Sequence, residues 1–278
     1  MQIDSHQHFW QYSRADYPWI GPESQLLAQD YLPVDLEPHV RGEGIGGTVA
    51  VQARQTLEES RWLLELAATH PLIQGVVGWV DLQSEQVAEQ LQEFSGCQKF
   101  VGVRHVVQDE PDPRFLLGSA FVRGLSHLQH YGLTYDLLLY PEHLPAAVEL
   151  AALLPEQPFV LDHIAKPRMK TGRPADFASW QSDLIALASQ ANVCCKVSGL
   201  VTEAAWKTWK RDEFVPYLEV VLAAFGPHRL MFGSDWPVCL LSAQYAEVAL
   251  IVREFFAQLS GTQQDALWGG TAKRFYNL

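Results

Sequence analysis

Two kinds of apolar pattern alternate along the chain. Short apolar runs rich in β-branched residues are separated by longer stretches in which apolar residues recur every three to four positions. The first pattern indicates buried strands and the second indicates helices with one apolar face, so repeated strand-helix units are predicted. The predicted strands are 2–9, 47–53, 73–80, 100–107, 134–140, 159–164, 193–197 and 230–234. The predicted helices are 57–69, 85–94, 115–131, 144–154, 175–190, 213–225 and 243–259.

Eight such units in 278 residues fit a closed (β/α)8 TIM barrel, and a doubly wound open sheet is the alternative. In barrels the chemistry gathers at the carboxyl ends of the strands. Polar residues end seven of the eight predicted strands here, which favours the barrel. These residues are His6 and His8, Gln52 and Arg54, Arg104 and His105, Tyr140, His163 and Lys166, Ser198, and Asp235.

The connections predict one domain over residues 1–278, because no Gly/Ser linker or short repeat divides the chain. The segment of residues 11–38 is too long for an ordinary strand-helix connection, and its length predicts a loop over the mouth of the site. Residues 42–47 spell G-x-G-x-x-G but precede a strand. A dinucleotide fingerprint follows a strand, so this segment predicts a turn.

Charge narrows the range of partners. The chain has 20 basic and 32 acidic residues and a net charge of −12, which disfavours nucleic acid and anionic membrane surfaces. No secretory signal and no bilayer-spanning apolar run is visible. The four cysteines form no C-x-x-C pair. Together these features predict a cytoplasmic protein with reduced thiols and a small-molecule partner.

The most informative local feature is the pair His6 and His8 in the first strand. Side chains at positions i and i+2 of a strand share one face, so the two imidazoles suit a metal ion or an acid/base site. In a closed barrel the first strand neighbours the last, which ends at Asp235. The alternatives are an exposed histidine pair and an aspartate that only caps a turn.

Two further strand ends carry charged groups. Asp162, His163 and Lys166 follow an apolar run, and His163 is the predicted third site histidine. The alternative is an Asp162–Lys166 ion pair bracing a loop. Arg104 ends the fourth strand, where an arginine suits oxygen-rich substrates. No lysine ends that strand, so a two-metal centre bridged by a carbamylated lysine is not expected, leaving one metal ion or none.

Eight motifs in order resemble the amidohydrolase superfamily, and within it the amidohydrolase 2 branch that contains sugar lactonases. They are IDSHQHFW from position 3, VQA from 51, GVRH from 102, YDLLLYPEHL from 135, LDHIAKP from 161, KVSGL from 196, FGSDWP from 232, and WGGTAKRFY from 268. The match spans nearly the whole chain.

The resemblance implies a distorted (β/α)8 barrel that opens a sugar-acid lactone of the L-fucono-, L-rhamnono- or L-galactono-lactone type. A metal-dependent decarboxylase of an aromatic or unsaturated carboxylic acid is the alternative. By position, the implied catalytic residues are His6, His8, His163 and Asp235. We expect substrate contacts from Arg104, Gln52, Tyr140, Lys166, Trp10 and Trp236.

The same resemblance leaves two versions of the site open. One divalent ion, zinc or manganese, is held by His6, His8 and Asp235, or the histidines act without a metal. The fifth strand ends without the histidine that the larger superfamily often adds as a ligand. A monomer or homodimer is expected.

Overall fold

The computed structural model describes all 278 residues, and its eight strands form one parallel sheet in sequence order. This confirms the predicted (β/α)8 barrel over the open-sheet alternative. The strands are β1 (Gln2–Gln7), β2 (Ile45–Val51), β3 (Ile73–Gly78), β4 (Phe100–His105), β5 (Thr134–Leu137), β6 (Phe159–Leu161), β7 (Val193–Val197) and β8 (Leu230–Phe232).

The barrel closes where β1 meets the segment that follows β8. The amide of Asp235 donates to the carbonyl of His6 at 2.8 Å, and the amide of His8 donates to the carbonyl of Trp236 at 2.7 Å. Register shifts along the pairing of β1 with β2 make this part of the sheet irregular. The closure therefore brings the first strand and the Asp235 turn together, and the irregular pairing agrees with the expected distorted barrel.

Helices cover the outside of the barrel. They are α1 (Pro33–Gly42), α2 (Leu57–Thr69), α3 (Val87–Phe94), α4 (Ser119–Leu128), α5 (Leu144–Leu153), α6 (Pro174–Ala188), α7 (Leu200–Glu203), α8 (Val215–Phe225), α9 (Tyr245–Phe256), α10 (Gly261–Asp265) and α11 (Thr271–Tyr276). All seven predicted helices are present as α2 to α6, α8 and α9, with ends that differ by a few residues.

The predicted loop over residues 11–38 is wrong from position 33 onward, where α1 begins. Proline at the first helical position costs no hydrogen bond, and the Asp35 carboxylate accepts from the amide of Leu32 at 2.9 Å. Of the predicted turn at 42–47, only residues 43 and 44 form one, with Gly44 at φ 71°, because α1 extends to Gly42 and β2 begins at Ile45. Strand β6 ends at Leu161, three residues earlier than predicted, because the backbone turns left-handed at His163.

Two apolar clusters hold the layers together. A large cluster fills the space between the barrel and the helices. A small one, which includes Ile3, Val51, Val101, Met231 and Tyr276, draws on six of the strands and on α11. None of the helices combines the length and hydrophobicity needed to cross a bilayer.

Candidate active site

The structure brings four of the predicted residues together at the carboxyl end of the barrel. The Nε2 atoms of His6 and His8 lie 3.1 Å apart. Oδ1 of Asp235 lies 3.4 Å from Nε2 of His8 and 3.8 Å from Nε2 of His6. Nε2 of His163 is also 3.8 Å from this oxygen. All four side chains are buried, so the carboxylate faces three imidazoles with little water between them.

Backbone geometry around Asp235 allows this close approach. Gly233 precedes the turn, and a Cβ at this glycine would lie 2.7 Å from Cβ of His6. Asp235 itself has φ 58°, a conformation that costs a non-glycine residue energy and recurs at functional sites. The turn therefore places the carboxylate against β1.

His163 and Lys166 lie on an unusual turn, since residues 163–166 all have left-handed backbone with φ between 47° and 61°. Such residues cost roughly 1–2 kcal/mol each. The indole of Trp180 donates to the carbonyl of Ile164 at 2.8 Å. Nδ1 of His163 lies 2.9 Å from Oγ of Ser198. These buried contacts hold the turn in place.

A cavity of about 530 Å³ opens above the cluster. Of the predicted site residues, His8, Trp10, Arg104, His163, Lys166 and Asp235 line it. Residues 15, 16, 18 and 19 of the long loop after β1 form part of its wall, as do residues 53–56 after β2. The loop therefore borders the site mouth, and the cavity has the size of a small-molecule site.

The structure does not bring the other predicted contact residues to the cavity wall. Gln52 is fully buried, and its Oε1 accepts from Nη2 of Arg104 at 2.9 Å. Trp236 is buried against Tyr31. The ring of Tyr140 lies 5.7 Å from Nζ of Lys166. Gln52 therefore supports the wall through Arg104, and Tyr140 lies beside the lining residue Lys166.

Sequence reasoning missed a layer of buried charges beneath His6. Nζ of Lys196 contacts the Asp136 carboxylate and lies 3.0 Å from Oδ1 of Asp162 and 3.1 Å from Nδ1 of His6. Nη1 of Arg104 donates to Oδ2 of Asp162 at 3.1 Å. Asp162 is therefore paired with Arg104 of β4 and Lys196 of β7. The alternative ion pair between Asp162 and Lys166 does not form. A lone charge within each apolar run was the only available signal.

Burial and neighbouring charges set the protonation of the cluster. Burial holds the pKa of His6 and of His163 well below the usual imidazole range, so both rings are neutral near pH 7. For Asp235, burial raises the pKa while His163 and His8 lower it, and the net direction is downward. The site therefore presents an ionised carboxylate to neutral imidazoles.

The donor atoms fit one divalent ion. Nδ1 of His8 lies 2.8 Å from the carbonyl of Val51, which can only accept, so the lone pair of this ring is on Nε2. That atom, Nε2 of His6 and Oδ1 of Asp235 are 3.1 to 3.8 Å apart. A tetrahedral zinc ion with bonds of about 2.0–2.1 Å separates its ligands by about 3.3 Å. The expected metal ligands thus have the type and spacing that such an ion needs.

A family model described as Amidohydrolase matches residues 3–278. The chain belongs to the amidohydrolase family. Two relatives named L-fucono-1,5-lactonase cover all of it: one from Burkholderia multivorans is 46% identical and one from Burkholderia ambifaria is 34% identical, each aligned over 96% of its own length. This confirms the family to which the motifs pointed and identifies the chain as an enzyme of that family.

Among solved structures, an amidohydrolase from Burkholderia multivorans with bound zinc is 45% identical and superimposes with a TM-score of 0.95. The match covers 100% of this chain and 99% of that one. The family fold therefore extends over the whole chain.

The first prediction concerns Trp180. Replacing it with phenylalanine keeps an aromatic ring but removes the donor to the carbonyl of Ile164, so residues 163–166 should open more often. Hydrogen exchange of the Lys166 amide should accelerate about tenfold. Mass spectrometry of the peptide that contains the turn checks this.

Trp206→Phe is the matched control, because its indole also donates to one carbonyl, that of Thr202 at 2.9 Å. This variant should leave exchange in residues 163–166 unchanged. Equal acceleration in both variants would mean that Trp180 does not hold the turn specifically.

The second prediction concerns Glu59, which accepts from the amides of Ala53 and Arg54 at 3.0 and 2.7 Å and so fixes part of the cavity wall. Burial raises its pKa from 4.5 to about 7. Folded Glu59 thus keeps a proton that the unfolded chain loses, and its contribution to stability falls as pH rises between these values. Glu59→Gln removes this dependence.

Relative to wild type, the unfolding free energy of Glu59→Gln should rise by roughly 3 kcal/mol from pH 4.5 to 8. Urea denaturation across this pH range measures the difference. Glu58→Gln on the exposed side of α2 is the control, with a constant difference expected. A flat profile for Glu59→Gln would show that its carboxyl titrates normally.

Proposed function

We propose that this enzyme hydrolyses the ring ester of a neutral sugar-acid lactone. The observation that carries the proposal is the ionised, buried Asp235 carboxylate, set among three imidazoles at the base of a small-molecule cavity. Two relatives named L-fucono-1,5-lactonase, which match the chain over its full length, support it. L-fucono-1,5-lactone is therefore the first substrate to test, before the L-rhamnono- and L-galactono-lactones.

The charges around the cavity favour a neutral substrate. Arg54 lies 3.3 Å from the Asp16 carboxylate, and Arg104 is bound to Asp162. Lys166 is the one lining cation without a carboxylate partner within 4 Å. Among the lining side chains, a dicarboxylate lactone would find an unpaired cation for only one of its two charges, whereas the single carboxylate of an aldonic acid product suits Lys166.

In the proposed reaction Asp235 accepts a proton from a water molecule, and the water oxygen attacks the lactone carbonyl carbon. His163 stabilises the developing oxyanion. In this proposal Oγ of Ser198 donates to Nδ1 of His163, so the ring carries its proton on Nε2 and can donate it to the oxyanion in the cavity. The bond to the ring oxygen then breaks. Asp235 returns its proton to that oxygen, leaving an open-chain hydroxy acid.

The same cluster suits a divalent ion. When bound, such an ion held by His6, His8 and Asp235 supplies positive charge that polarises a carbonyl and acidifies water. We propose zinc ahead of manganese, since the 45% identical amidohydrolase carries zinc. His8 keeps its proton on Nδ1 against Val51, and so presents its lone pair to the cluster.

Aromatic side chains suit the apolar face of a sugar ring. Trp10 and Trp19 lie on the cavity wall with ring centroids 5.7 Å apart and planes at 90°. Trp19 is 45% exposed, which is unusual for so large an apolar side chain. We propose that Trp19 packs against the substrate and is covered when the cavity is filled.

The third prediction tests the base. Asp235→Asn keeps the size of the side chain but removes the proton acceptor, so kcat on L-fucono-1,5-lactone should fall by about a thousandfold. A pH-indicator assay of acid release measures the rate, and circular dichroism checks the fold. Asp212→Asn on an exposed surface should retain full activity. Activity of Asp235→Asn within tenfold of wild type would exclude its role as the base.

The fourth prediction tests the substrate class. Neutral aldonolactones should be hydrolysed with kcat/KM at least about a hundredfold above that for 2-pyrone-4,6-dicarboxylate, because the lining side chains offer only one unpaired cation. The indicator assay compares the two at equal concentration. Release of carbon dioxide from 2,6-dihydroxybenzoate tests the decarboxylase alternative and should be absent. Preference for either acid would overturn the assignment.

A further inference from the structure

The two nitrogens of His6 lie in different surroundings. Nε2 faces His8 and Asp235, whereas Nδ1 faces the buried charge layer. Nζ of Lys196 is 3.1 Å from Nδ1, and Oδ1 of Asp162 is 3.3 Å from the same atom. A neutral imidazole carries one proton on one nitrogen. The ammonium requires a bare Nδ1 and the carboxylate requires a protonated one, so these neighbours favour opposite tautomers.

Two contacts favour the tautomer with the proton on Nε2 when no ion is bound. Nδ1 of His8 donates to the Val51 carbonyl, so Nε2 of His8 must accept, and it lies 3.1 Å from Nε2 of His6. Lys196 then donates to the bare Nδ1 of His6. Nη1 of Arg104, 3.4 Å from Nε2 of His6, favours the opposite tautomer through a longer contact.

A bound ion requires the other tautomer. A histidine binds a metal through a bare nitrogen, so Nε2 of His6 must lose its proton and Nδ1 must carry one. Oδ1 of Asp162 is positioned to accept from Nδ1. It is fully buried and has no aligned hydrogen bond, although it lies within ion-pair distance of Lys196. Buried carboxylate oxygens rarely lack such a partner.

We propose that Lys196 and Asp162 are positioning residues that stabilise the two tautomers of His6 in turn. Lys196 donates to Nδ1 in the metal-free enzyme, and Asp162 accepts from Nδ1 when Nε2 binds the ion. One proton leaves Nε2 and one arrives at Nδ1 through solvent, so His6 stays neutral in both states. The inference rests on the divalent ion of the proposed function and is independent of which substrate is hydrolysed.

This arrangement predicts opposite effects of the two side chains on metal affinity. Weakening the acceptor at Asp162 destabilises the metal-bound tautomer, and outer-shell partners of this kind are worth about 10- to 100-fold in affinity. Removing the donor at Lys196 destabilises the metal-free tautomer and also removes a positive charge near the ion. General damage to the site would weaken binding in both cases.

The fifth prediction uses chelator-stripped enzyme and a chromophoric zinc competitor. Asp162→Asn should weaken zinc binding at least about tenfold. Lys196→Met alone would leave the buried Asp136 carboxylate unpaired, so it is combined with Asp136→Asn. The control for this double variant is Asp136→Asn alone. The double variant should bind zinc more tightly than this control. Weaker binding in both tests, or no zinc binding by the wild type, would overturn the proposal.

A spectroscopic test needs no variant of the charge layer. In enzyme labelled with ¹⁵N-histidine, long-range proton-nitrogen correlations distinguish the tautomers, and the His6 signals are assigned by their loss in His6→Gln. The His6 proton should lie on Nε2 in the stripped enzyme and on Nδ1 after zinc is added. The same tautomer in both states would refute the proposal. Neither experiment measures lactone hydrolysis, so failure of the substrate assignment remains distinguishable.

Discussion

The backbone junction between the two ends of the sheet is the constraint on which the site depends. The amide of Asp235 bonds to the carbonyl of His6, and the amide of His8 bonds to the carbonyl of Trp236. Without this closure, the two histidines would be a pair at the edge of a sheet, away from the Asp235 carboxylate. The junction leaves no room for a side chain at position 233, because a Cβ at Gly233 would collide with His6. The hydrogen bonds that close the sheet therefore also place Asp235 beside the two histidines.

The charge layer beneath His6 is hard to explain by stability alone. Burying ions costs several kcal/mol each, and well-packed apolar residues often replace a buried ion pair without loss. The layer nevertheless places Lys196 and Asp162, both fully buried, within 3.3 Å of one imidazole nitrogen. Tyr276 donates to Asp136 at 2.9 Å and so connects the layer to the small apolar cluster. The position of the charge layer therefore suits control of the His6 imidazole better than support of the barrel.

The sequence predicted the features that depend on local pattern. Apolar runs ending in polar residues located the strands, and the spacing of His6 and His8 fixed their common face. The pairing of Asp162 with Lys196 was not predictable, because it depends on the register between the neighbouring strands β6 and β7. Gln52 illustrates a second limit: a polar residue at a strand end can point into the cavity or behind its wall, and here it braces Arg104.

The left-handed turn at 163–166 escaped prediction for a different reason. Ile164 and Ala165 carry no signal for positive φ, and Ile164 is β-branched, so local preference opposes what the fold imposes. The geometry explains why the cost is accepted. In an extended strand, His163 would share a face with Ala165, two positions later. A helical turn of either hand instead places residues three apart on one face, and so brings His163 and Lys166 to the same side. His163 and Lys166 both line the cavity as a result. The strained turn thus gives one short segment both an imidazole and the unpaired cation of the site.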